Sequence, residues 1–248
     1  MGFRNCIPTI IATSLATLMS GAASAIPPRS EPQGPAVDVD TTEALAAYVS
    51  ACDQGSPRDC AFAARMHLQG RIVKADPARA LVCFEKGCRL GDGAQCNAAA
   101  GQSDDPTSSK SLALFEKGCE LGDRRSCENA ATYLYMQALE MMDSGLARRA
   151  FRVASRLCDA QGPASEPFCK QVADCLIDGF GVRADEAVGE RLLKEQCQRN
   201  PGQGACADLG DRYLSGDGVR PSVVEARNVL DAGCQGGDTG SCSVMARL

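Results

Sequence analysis

Fifteen cysteines and a single histidine, His67, set the chemistry open to this chain. Thiols at regular spacing oxidise in pairs, hold a metal, or exchange electrons through a C-x-x-C motif. No C-x-x-C occurs, and one imidazole cannot furnish the usual clustered zinc sets, so neither a metal nor a cofactor is expected. Pairing is left. Cys52 and Cys60, Cys88 and Cys96, Cys119 and Cys127, and Cys234 and Cys242 each enclose seven residues. Cys197 with Cys206 and Cys158 with Cys169 are stretched versions of the same unit. Cys83 and Cys175 stand outside the pattern and are expected to be free thiols that serve packing.

Motifs for catalysis are missing. There is no H-E-x-x-H, no G-x-S-x-G, no glycine-rich phosphate loop and no Ser-x-x-Lys. The nearest string to the last, Thr107-Ser-Ser-Lys110, falls at an expected helix start, where its hydroxyls suit a cap. His67 lies seven residues after Cys60, where Leu134, Leu176 and Tyr213 stand in other units, and is expected to pack within a helix.

The pairs begin at 52, 88, 119, 158, 197 and 234, a period in the thirties that marks a repeat architecture. After Cys60, Cys169 and Cys206 comes a helix of about ten residues. A glycine follows ten residues after each cysteine (Gly70, Gly179, Gly216) and a valine thirteen after it (Val73, Val182, Val219). Glycine there can end the helix in the left-handed conformation. A second helix opens three residues later, signalled by Asp76 with Pro77, Asp185 with Glu186, and Pro221 with Ser222. Within it, Cys83, Leu114, Leu192 and Val229 share one aligned position, and Phe84, Phe115, Leu193 and Leu230 the next. Each hairpin must bury such a pair against its neighbours, since one hairpin alone has nothing to bury it against.

Every cysteine pair then spans the turn from a second helix to the following first helix, where antiparallel packing can bring Cα atoms to the ~5.5–6 Å a disulfide needs. Closing so short a loop contributes about 2–3 kcal/mol in the chain-entropy model. The expected fold is all-α: an α/α solenoid of one leading helix, five hairpins and a truncated last helix, stapled by disulfides over residues 41–248. The unit from Cys119 is longest, with an extended first helix through Met142 and its turn expected at Ser144-Gly145.

The first 25 residues are built differently. Arg4, an apolar run from Ile7 to Met19, and Ala23-Ser24-Ala25 have the layout of a secretory signal peptide cleaved after Ala25. Residues 26–40, with Pro27, Pro28, Pro32 and Pro35, read as an extended leader. Export to the periplasm or beyond explains the cysteine density, because disulfides persist in oxidising compartments. A net charge of −5 argues against a nucleic-acid or anionic-membrane partner, and no membrane insertion is expected once the signal is removed.

Two stretches carry a family resemblance: Cys-Ala-Asp-Leu-Gly-Asp-Arg-Tyr-Leu-Ser-Gly-Asp-Gly-Val at 206–219, and Phe-Glu-Lys-Gly-Cys-x-Leu-Gly-Asp at 84–92 and 115–123. The chain resembles the Sel-1-like repeat family, in particular its cysteine-rich branch typified by the Helicobacter cysteine-rich proteins. The resemblance spans about residues 41 to 248 and implies TPR-like hairpins that bind a protein or peptide along the face of the first helices. Positions two and five after the cysteine should project together there: Phe62 and Arg65, Asn129 and Thr132, Gln171 and Asp174, Asp208 and Asp211. Some members of that branch are catalogued as β-lactamases or penicillin binders, so a weak penicillin-recognising hydrolase is the rival expectation, opposed by the missing Ser-x-x-Lys.

Overall fold

A computed structural model describes residues 41–159 and 166–248; the signal-peptide and leader expectations lie outside the described residues. Every regular element among them is helical. They fall into two compact units, 41–123 and 124–248.

The first unit holds α1 (Thr42–Asp53), α2 (Pro57–Gln69), α3 (Pro77–Arg89), α4 (Gly93–Gly101) and α5 (Ser109–Glu120). Each consecutive pair packs together. Its core is small-residue rich: Ala63, Ala64 and Ala80 let the helices close on Leu45, Met66 and Phe84. Four side chains cap the helix starts as N-caps accepting a backbone N–H, Thr41, Ser56, Asp76 and Asp92, and Ser108 does the same for α5. The Thr107–Lys110 string is thus a cap, and Lys110 pairs with Glu85 at 2.6 Å.

The second unit holds α6 (Arg124–Met141), α7 (Ser144–Asp159), α8 (Glu166–Asp178), α9 (Glu186–Arg199), α10 (Ala205–Ser215), α11 (Val223–Gln235) and a short α12 (Thr239–Met245), with a 3-10 turn at Pro201–Gln203. Ile177, Leu193, Leu209, Tyr213 and Leu230 belong to one apolar core cluster within it. The long first helix of the third hairpin is present, but its turn falls one step earlier than expected. α6 ends at Met141 and α7 already begins at Ser144. Asp143 causes this: its Oδ1 accepts from the N–H groups of Gly145 (2.6 Å) and Leu146 (3.1 Å), so the chain is capped into helix before Ser144-Gly145 could serve as the turn.

The hairpin loops repeat atom for atom. In three of them the backbone N–H of the residue capping the second helix donates to the carbonyl seven residues after the cysteine: Asp76 to His67 (2.9 Å), Asp185 to Leu176 (2.8 Å) and Ser222 to Tyr213 (2.9 Å). Gly70, Gly179 and Gly216 end the first helices with φ of 64, 70 and 75°. In the last two loops a second glycine serves close approach instead. A Cβ on Gly181 would stand 2.4 Å from the Ala147 carbonyl carbon, and one on Gly218 would stand 2.0 Å from Ile177 Cγ2. Each loop is thereby pressed onto the preceding helices.

Of the aligned apolar pair, the second member is always buried (Phe84, Phe115, Leu193, Leu230), whereas Leu114, Leu192 and Val229 are only half-buried. Cys83 is the one first member that is buried; its thiol is free, as is that of Cys175. Burial pushes the Cys83 thiol up, away from the reactive thiolate.

Disulfides join Cys52–Cys60, Cys88–Cys96, Cys158–Cys169, Cys197–Cys206 and Cys234–Cys242, with Cα–Cα distances of 4.6–4.7 Å. Cys119 and Cys127 are disulfide-bonded as well. Close antiparallel packing at the turn brings the Cα atoms nearer than the commonest disulfide spacing, yet inside the allowed range.

Candidate functional site

The residues two and five after each cysteine meet different fates. Phe62 stacks on Tyr48 at 5.1 Å between centroids, with Arg58 lying 5.5 Å over its ring. Arg65 is exposed. Thr132 is exposed and donates its hydroxyl to the Glu128 carbonyl at 2.8 Å, and Asn129 is half-buried. Asp211 is exposed, Gln171 half-buried, and Asp174 only 3 % exposed. Asp174 and Asp208 are brought together, on α8 and α10.

What joins them is a pair of cations that sequence reasoning had not singled out. Lys170 lies 3.0 Å from Asp174 and 3.4 Å from Asp208. Arg212, 1 % exposed, reaches Asp174 at 3.1 Å, Asp178 at 3.3 Å and Asp208 at 3.5 Å, and donates to the Asp217 carbonyl at 3.4 Å. A lone buried guanidinium would be severely penalised, so this one is surrounded by three carboxylates. Burial drives Asp174 up to about 7 against the pull of Lys170 and Arg212, with the Asp208 charge adding to the rise. Asp208 moves the other way, held low by Lys170 and Arg212 in spite of its own burial. Lys170 and Arg212 are both held in their charged forms by these carboxylates, against burial. Carboxyls with values this far apart are what an acid–base site would use. At 3 % exposure Asp174 has no surface to offer a substrate, and the cluster ties α8 to α10. The signal for it was present in the sequence as the four-residue spacing of Lys170 to Asp174 and of Asp208 to Arg212.

Beside it, the Tyr213 hydroxyl donates to Glu190 Oε1 at 2.6 Å, and Lys194 lies 3.1 Å from the same oxygen and 5.4 Å over the Tyr213 ring. The hydroxyl's hydrogen bond is the main reason Glu190 is held low, while burial, with that bond, pushes the Tyr213 phenol up to about 12. His67 is buried, and burial lowers its basicity. Among the described residues no group of three or more His, Cys, Asp or Glu is placed to hold a metal ion, and no helix is long and apolar enough to cross a membrane.

The Sel1 repeat model matches residues 57–92, 106–123 and 204–228. No curated protein matches in sequence. Among solved structures, the chain is similar to a Sel1 repeat protein from Oxalobacter formigenes (TM-score 0.56, 13 % identity, 82 % of each chain). It is also similar to a protective antigen of uropathogenic Escherichia coli strains that displays an SLR fold (TM-score 0.52, 16 % identity, 83 % of this chain). The chain spans 44 % of that antigen's length. At such identities the likeness is one of fold. Repeat matches and fold agree with the hairpin register described above: the chain is a helical array that carries Sel1 repeats.

Proposed function

We propose that the protein is an exported scaffold that binds another protein or peptide through its helical surface. The observation that carries this reading is the staple at successive hairpin boundaries, which holds short, alanine-rich hairpins in a fixed array. Sel1 repeats generally serve protein–protein interaction, and paired cysteines belong to an oxidising compartment. On this reading residues 1–25 are a signal peptide removed after Ala25, residues 26–40 a leader, and residues 41–248 the binding solenoid, in the periplasm or secreted. The exposed members of the first-helix face, Arg65, Thr132 and Asp211, contribute to contact, while Asp174 fixes the helices that present it.

Pull-down from envelope extract by the oxidised protein should recover a discrete polypeptide that the reduced protein loses, and sequencing of the exported protein should begin at Ile26. Recovery no different from that of an unrelated disulfide-bonded protein would overturn the scaffold reading. Turnover of nitrocefin above the blank would favour the hydrolase instead.

A further inference from the structure

Helix α7 segregates its side chains sharply. Ala147, Ala150, Val153, Ala154 and Leu157 are buried, and Arg148, Arg152 and Arg156 stand exposed in a row on another face. A cleft of about 550 Å³ runs along that row, with Phe151 in it and Arg183 added from the α8–α9 loop. The loop is held there by Gly181, whose backbone lies against Ala147 and Arg148 so closely that no side chain would fit. Asp159, at the end of α7, is the one carboxylate lining the cleft among the described residues.

Among the described residues, none of these four arginines forms an ion pair, unlike Arg79, Arg124 and Arg212. The whole chain carries a net charge of −5, so a cationic row of this kind runs against its overall balance. Guanidinium groups bind carboxylates through paired N–H donors, and their flat faces sit on aromatic rings. Residues four apart on a helix are separated by about 6 Å along its axis. Alternate residues of an extended strand are separated by about 6.6–6.8 Å.

We propose that this groove docks an extended acidic segment of another polypeptide, its carboxylates on alternate residues meeting Arg148, Arg152 and Arg156. The inference rests on the scaffold reading but places contact on a second helix, away from the first-helix face. Arg183 closes the far side, and Phe151 accepts a small apolar side chain between the charges. Because the arginines are exposed, binding should weaken as salt is raised.

The test uses fluorescence anisotropy with the full oxidised protein and a labelled ten-residue peptide of alternating Glu and Ala. The control peptide has Gln for Glu. The Glu peptide should bind at least about tenfold more tightly than the Gln peptide. The Arg148→Gln, Arg152→Gln, Arg156→Gln triple variant, with unchanged helical circular dichroism, should lose about tenfold or more of that affinity. Equal binding of the two peptides, or an unaffected triple variant, overturns the proposal. So does single-stranded DNA bound more tightly than the Glu peptide, or a dimer that the triple variant abolishes. If the variant still recovers the same polypeptide from envelope extract while the Glu peptide fails to bind, the groove is wrong and the scaffold reading survives. If the Glu peptide binds through the arginines but nothing is recovered from extract, the reverse holds.

Discussion

Met66 and Arg212 occupy the same place in two repeats, six residues after Cys60 and Cys206, and both are buried. Met66 sits in an apolar cluster with Ala63, Ala64 and Phe84. Arg212 sits among Asp174, Asp178 and Asp208. The following residue repeats the contrast: His67 is buried and its basicity is lowered by that burial, whereas Tyr213 donates to Glu190. The repeat frame therefore decides that a position is interior without deciding whether it is apolar or ionic. An apolar interior tolerates replacement one residue at a time. An ionic one has to change as a set, because each partner left behind is a buried charge.

Arg212→Met should show this most strongly, destabilising by about 3–5 kcal/mol in urea denaturation because three carboxylates lose their common partner. The matching Met66→Leu change should cost less than about 1.5 kcal/mol. Similar costs for the two would erase the distinction between the hairpins. Next in size, replacing both cysteines of one staple by serine should cost about 2–3 kcal/mol whether the pair is Cys52 and Cys60 or Cys197 and Cys206, since the closed loops are nearly equal. A much larger loss at the second pair would mean that the staple also holds the ionic cluster in register. Tyr213→Phe, which removes only the hydroxyl bonded to Glu190, should cost about 1 kcal/mol.

Stability should also depend on pH. Unfolded, Asp174 releases its proton near 3.8; folded, it keeps it up to about 7. Between those values the folded chain binds more protons than the unfolded one, so this residue's contribution to stability falls as pH rises and levels off above about 7. His67 works in the opposite sense. Its lowered value makes the unfolded chain the better proton acceptor, so its contribution falls as pH drops below 6.5. Thermal melts of wild type against Asp174→Asn and against His67→Leu should give difference curves of opposite slope. Slopes of one sign would sink the assignment of Asp174 as the proton-retaining carboxyl.

The hairpin register was legible because local chemistry sets it. Cysteine spacing, the glycine ten residues on, and the caps Asp76, Asp185 and Ser222 each act within a few residues of where they stand. Asp143 escaped notice because Ser144-Gly145 is itself a turn signal, and only the cap geometry decides between them. Arg212 escaped for a different reason. Arginine reads as a solvated residue, and its burial depends on carboxylates supplied by the previous hairpin, 34 and 38 residues away. The row Arg148, Arg152, Arg156 was visible at helical spacing, but whether such a row is neutralised by a neighbouring helix is a tertiary matter.

The staples also bear on how the chain reaches its oxidised state. Partners are separated by 8 to 11 residues in the disulfides described above. Loops of that length close in about 10–100 ns, far faster than any thiol meets an oxidant. As the polypeptide emerges N-terminus first, each cysteine of these pairs has its correct partner within reach before the next repeat has appeared. Oxidation can then run vectorially along the chain, and a disulfide isomerase has little to correct.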